Sequence, residues 1–156
     1  MEIFTVSLFG HRRIDNAAEL ESRLERVISE LIRTKPYVEF LIGREGEFDI
    51  LAASVIRRMC KKFDMGNTHL TLVLPYMTAE FRKNQKSFLN YYDDVCVCSP
   101  SAQAHFKAAI QLRNHQLVDQ SDLVICFVKT SSGGAYSTMR YALDQGVDVI
   151  DLAEFL

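Results

Sequence analysis

The chain has no apolar run approaching the roughly 20 residues that cross a bilayer. Its first residues, Met1 to Phe9, also lack the basic-then-apolar plan of a signal peptide. A cytoplasmic protein with no membrane partner is therefore expected. No cysteine pair is spaced as C-x-x-C, and none of Cys60, Cys96, Cys98 and Cys126 joins a histidine at zinc-finger spacing. No metal site is expected, and the thiols read as small buried hydrophobes, although Cys96 and Cys98 share one face if their segment is a strand. An excess of basic charge is missing too. With a formal net charge of −2, the chain lacks the long-range attraction by which a dedicated nucleic-acid binder releases counterions, which argues against a nucleic-acid partner. Repeats, low-complexity tracts and linkers are absent as well, so residues 1–156 are expected to form a single domain.

What is present is globular in character. The apolar fraction is 48% and the charged fraction 24%, both ordinary values. At 156 residues, folding buries roughly 70% of the surface that an unfolded chain exposes, enough for a core without staples.

Strand-like and helix-like segments alternate along the chain, the pattern of a parallel sheet covered on both faces. Ile3 to Phe9 is nearly continuous in apolar character, as a strand buried on both sides should be. Asn16 to Thr34 places Leu20, Leu24, Val27 and Leu31 on one helical face, with Asp15 or Asn16 as cap. Tyr37 to Ile42 is a second strand, Phe48 to Phe63 a helix with a basic edge at Arg57, and Leu70 to Leu74 a third strand ended by Pro75. Tyr76 to Asn90 shows no clear period, and its long aromatic segment, which holds Tyr76, Phe81 and Phe88 and runs on to Tyr91 and Tyr92, suits stacking on a base, cover for the sheet edge, or a homodimer contact. A short strand is expected at Val95 to Cys98, and Ser99-Pro100 reads as an N-cap and first residue of a helix running to about Asp119. Leu123 to Val128 is the strongest strand, Gly133 to Gln145 a helix closed by Gly146, and Val147 to Leu152 a final strand. The right-handed crossover rule makes this an α/β chain with one doubly wound, mostly parallel, Rossmann-like sheet.

In such a sheet the strand-to-helix junctions share one edge, where ligands bind. Three junctions carry unusual residues. Gly10, His11 and Arg12 follow the first strand, glycine allowing close approach to the backbone while His11 and Arg12 supply phosphate donors. Gly43, Arg44, Glu45 and Gly46, then Glu47 and Asp49, follow the second; the glycines suit a phosphate cradle, whereas the carboxylates suit ribose hydroxyls or the positive end of a helix. Ser132, Gly133 and Gly134, with Ser137 and Thr138, follow the strongest strand and have the makings of a phosphate nest. Arg113 either lines the site or pairs with Asp119 or Asp122, which flank the opposite edge and read as caps.

The ordered set Phe9 to Arg12, Gly43 to Asp49 with Ala52-Ala53, Arg113-Asn114 leading to Val118 through Ile125, Gly133-Gly134 to Thr138, and Tyr141-Ala142 resembles the SLOG superfamily over nearly the whole chain. The resemblance implies a Rossmann-like fold and a nucleotide-type ligand. It does not carry over the phosphoribohydrolase activity of the LOG enzymes. Their Pro-Gly-Gly-x-Gly-Thr-x-x-Glu signature is altered here, with Tyr136 at the third glycine, Ser137 at the threonine and Arg140 at the glutamate. A guanidinium cannot replace that carboxylate. The expected function is thus a sensor or binding protein for a nucleotide-like small molecule, without cofactor. The alternative is an N-glycosidase acting on nucleoside monophosphates, with Glu45, Glu47 or Asp49 supplying the carboxylate.

Overall fold

Strand β1 (Phe4–Gly10) explains the layering of the whole molecule. Val6 and Leu8 point to one face and Ser7 to the other, and all three are fully buried, so both faces of the central strand must be covered. The computed structural model describes residues 2–154, except the side chains of Ser99, Pro100 and Lys107. Helix α1 (Ala17–Thr34), strand β2 (Val38–Ile42), helix α2 (Glu47–Phe63) and strand β3 (Thr68–Leu74) follow. Then come the short helices α3 (Ala79–Lys83) and α4 (Gln85–Tyr91), strand β4 (Asp94–Val97), helices α5 (Ser99–Ala102) and α6 (Phe106–Asp119), strand β5 (Leu123–Phe127), helix α7 (Gly134–Asp144) and strand β6 (Asp148–Asp151). The sheet order is β4-β3-β2-β1-β5-β6, and every pairing is parallel. The expected doubly wound Rossmann-like sheet is what forms. Among the described residues, no helix is long and apolar enough to cross a membrane.

The two faces are packed unequally. Leu20, Leu24, Ile28 and Ile32 of α1, with Phe48, Ala52, Val55 and Ile56 of α2, join Val6, Leu8, Phe40, Ile125 and Phe127 in one large apolar cluster. Phe81, Phe88 and Tyr92 belong to that cluster, so the aromatic segment covers the sheet toward β3 and β4. The α6 and α7 face holds two smaller groups, Val118, Val124, Cys126, Val128 and Ala142, and Leu41, Val73, Cys98 and Leu117.

Several local expectations change. The helix expected from Ser99 to Asp119 is broken between α5 and α6. Buried Ser101 donates its hydroxyl to Pro75 O at 2.5 Å and Cys98 O at 3.1 Å, tying the first turn to the end of β3 instead of extending it. The side chain of Ser99, the expected N-cap, lies outside the described residues. Asn16 precedes α1 in the left-handed region (φ 51°) and caps nothing with its side chain; its amide donates to Glu19 instead. Cys98 and Cys126 are buried as expected, whereas Cys96 is exposed. Gly146 closes α7 as expected: its φ of 76° lets Gly146 N and Val147 N reach Leu143 O and Ala142 O.

Candidate functional site

The chain steps outward from β1 to β4, then returns to place β5 on the other side of β1. The loops after β1 and β5 therefore leave in opposite directions and open a crevice at the carboxyl edge, the ligand position of open α/β sheets. A cleft of about 290 Å³ lies there. Its walls come from the loops after β1 and β2, the inner face of α6 and the start of α7.

At the first junction, Gly10 serves packing. A Cβ on it would stand 2.5 Å from the Phe48 ring, so the end of β1 can close on α2 only without a side chain. His11 accepts the Lys129 N–H at Nε2, 2.8 Å away, and meets Phe127 edge-on at 5.8 Å. The imidazole thus ties the loop after β1 to the loop after β5, and Nε2 is not a phosphate donor. Arg12 differs. It lines the cleft, and its guanidinium has no salt bridge or hydrogen bond among the described residues.

The second junction is already filled by protein. Arg12 O accepts Glu47 N at 2.9 Å, His11 O accepts Phe48 N at 3.4 Å, and the Asp49 carboxyl accepts Glu45 N at 2.9 Å. These are donors that a phosphate cradle would need. Gly46 allows this closure, since a Cβ there would lie 2.4 Å from Arg12 Cα. Gly43 is equally confined, with Glu45 and Arg113 side-chain atoms 2.6 and 2.9 Å from such a Cβ. Arg44 leaves the cleft altogether. It bonds Glu80 at 2.8 Å and the Tyr92 hydroxyl at 3.1 Å, and lies over Phe88.

Arg113, 2% exposed, is the centre of the cleft floor. It pairs bidentately with Glu45, donates to Val73 O at 2.8 Å and bonds Asn114 Oδ1 at 2.9 Å. The alternative pairing with Asp119 or Asp122 does not occur, for those residues accept from the Tyr141 hydroxyl and Thr5 N. Asp49 lies beside this pair, and its carboxyl is pushed up to about 7, first by burial and then by the charge of Glu45. The hydrogen bond from Glu45 N and the charges of Arg113 and Arg12 oppose the rise. Glu47 is exposed and outside the cleft lining, with its carboxylate near Ile14 N.

The third junction is open. Gly133 occupies the N-cap with φ 95° and α7 has no side-chain cap. The first-turn amides of Gly134, Ala135 and Tyr136 have no acceptor among the described residues, and a Cβ on Gly134 would meet nothing within 4 Å. The hydroxyls contribute less than expected. Thr138 is fully buried, donating to Gly134 O at 3.0 Å and accepting from Asn114 at 3.3 Å, so it joins α6 to α7. Ser137 accepts from Gln111, and Ser132 offers its carbonyl to Thr130; neither lines the cleft. Arg140 is exposed and pairs with Asp144 at 3.7 Å, away from the cleft lining. Gln111, overlooked in the sequence, does line it. Ile110, Gln111, Arg113, Asn114 and Leu117 recur at helical spacing, the signal that would have assembled this wall.

No protein-family model matches the chain, and no curated protein matches it. Among solved structures, DNA processing protein A from Streptococcus pneumoniae superposes with a TM-score of 0.67 and 16% identity, covering 94% of this chain and 49% of that one. DNA processing protein A from Helicobacter pylori, in a structure described as giving insight into its single-stranded DNA binding mode, superposes with a TM-score of 0.63 and 16% identity, covering 94% and 63%. The chain thus spans less than two thirds of either neighbour, and the likeness is one of fold. These findings overturn the SLOG resemblance, the expected small nucleotide-like ligand and the expectation against nucleic acid. The last rested on a net charge that averages over both edges of the sheet. Asp93, Asp122 and Asp148 stand at strand starts, whereas Arg12, Arg13 and Lys129 are exposed at the carboxyl edge.

Proposed function

We propose that the chain binds single-stranded nucleic acid at the carboxyl edge of its sheet. One backbone phosphate would sit on the open first turn of α7, with the Arg12 guanidinium beside it. The observation that carries this reading is the pairing of open helix-start amides with an arginine that makes no salt bridge among the described residues, across one cleft. Helix N-termini favour anions because amide donors and the helix dipole act together. The fold likeness to a protein described in a single-stranded DNA binding mode supports it. A recessed cleft on a chain of net charge −2 suits an unstacked single strand better than a duplex, whose regular phosphates call for an extended basic surface.

Fluorescence anisotropy with a labelled oligothymidylate tests the reading, with a duplex and a mononucleotide as competitors. Affinity should fall with salt, by about 0.7 logarithmic units per decade for each phosphate neutralised, and the single strand should displace best. A salt-independent affinity, or displacement as efficient by the mononucleotide, would refute it.

A further inference from the structure

We propose that a second groove, along the outer side of α2, holds the same single strand where it leaves the cleft. This extension rests on the single-strand reading of the cleft. The groove, also of about 290 Å³, lies between α2 and the corner joining α4 to β4. Arg57, Arg58 and Lys61 line it together with Tyr91, Asn90 and Asp93.

The three cations are not equivalent. Arg58 is held by Glu21 at 3.0 Å and Glu25 at 2.8 Å, so its charge is already answered. Lys61 makes no salt bridge among the described residues. Arg57 makes none either, and its guanidinium lies over the Tyr91 ring, 4.1 Å from the centroid. A guanidinium fixed on an aromatic ring keeps its hydrogen-bond donors for phosphate and offers its other face to a base, a common arrangement where proteins stack unpaired bases. Asp93 is the acidic residue in the lining. It accepts Leu70 N at 2.8 Å, so part of its acceptor capacity is committed to the sheet.

One helix links the two places. Asp49 in its first turn borders the cleft. From there α2 rises about 12 Å to Arg57 and about 18 Å to Lys61. About four to six stacked nucleotides, at roughly 3.4 Å each, cover that distance, within the ~4–16 nucleotides of single-strand sites.

The test compares an oligothymidylate of about 12 nucleotides with a dinucleotide too short to leave the cleft. Arg57→Ala with Lys61→Ala should weaken the oligomer on the order of tenfold and flatten its salt slope by about 1.4, while dinucleotide binding stays unchanged. Both side chains are exposed, and an unchanged urea midpoint confirms folding; Lys61→Ala alone, which removes no partnered side chain, repeats the slope measurement at half the effect. An unchanged oligomer affinity and slope, with binding still weakened by Arg12→Ala, overturns the groove and leaves the cleft reading standing. Equal weakening of a polyglutamate probe overturns it in favour of an acidic-peptide surface. Failure of the wild-type chain to bind any single strand overturns both readings.

Discussion

The junctions after β2 and β5 are built from similar material, glycines followed by a helix start on the same sheet edge, yet one is closed and the other open. At α2 the Glu47 and Phe48 amides are taken by Arg12 O and His11 O, and Asp49 takes the Glu45 amide just before the helix; at α7 the first-turn amides face the cleft uncapped. The difference arises from neighbours. The loop after β1 crosses over α2 and supplies carbonyls there, and no loop plays that part for α7 among the described residues. Glycine therefore means close packing at the first site and access at the second.

The comparison breaks most severely at Arg113. Arg113→Ala should destabilise the chain by about 3–5 kcal/mol, because Glu45 and Val73 O lose a buried partner. Urea unfolding measures this. A loss below about 1 kcal/mol would mean that the closed junction does not depend on the ion pair.

Next in size is the Asp49 proton. Its folded pKa, raised to about 7, lies above an unfolded value near 3.9, so the native state binds more protons between them. Its contribution to stability should be greatest below about pH 4, fall by on the order of a few kcal/mol as pH rises through about 7, and level off above it. Unfolding of Asp49→Asn should lose that slope. A slope that survives would assign it to another group.

Across the cleft from the open junction, Arg12→Ala should lower single-strand affinity by about 1.5–3 kcal/mol, the range of charge-assisted hydrogen bonds. Its stability should change by no more than about 0.5 kcal/mol. Calorimetric titration beside a thermal melt separates the two, and equal affinity in the variant would remove Arg12 from the site.

The glycines give the smallest and sharpest contrast. Gly46→Ala should cost about 1–3 kcal/mol by forcing its methyl group against the Arg12 backbone. Gly134→Ala meets no atom and should stabilise by about 0.4–1 kcal/mol through reduced unfolded-state freedom, while weakening the strand by occupying the phosphate's approach. Matching stability losses at both positions would erase the distinction between closed and open junctions.

Much of the fold was legible in the sequence, because apolar periodicity and glycine or proline punctuation act locally. The run from Leu123 to Val128 and the leucines of α1 announce their elements directly. Tyr76 to Asn90 was not legible as helix, since α3 and α4 are too short to show a period and take their order from Phe81 and Phe88 packing into the shared core. The break before α6 was hidden for a similar reason: the Ser101 contact with Pro75 O joins residues 26 apart.

The sequence by itself determined an alternating α/β chain, and hence a parallel sheet with Gly10, Gly43 to Gly46 and Gly133-Gly134 gathered on one edge. Only the tertiary structure decided which of them remain open to a ligand. A helix start is satisfied by whatever lies over it, and the His11 and Arg12 carbonyls reach α2 from a loop more than 30 residues away. Arg113 likewise found Glu45 across a separation of 68 residues, not the aspartates near it in sequence, because burial makes a charged group take the partner that the packed sheet and helices bring within reach.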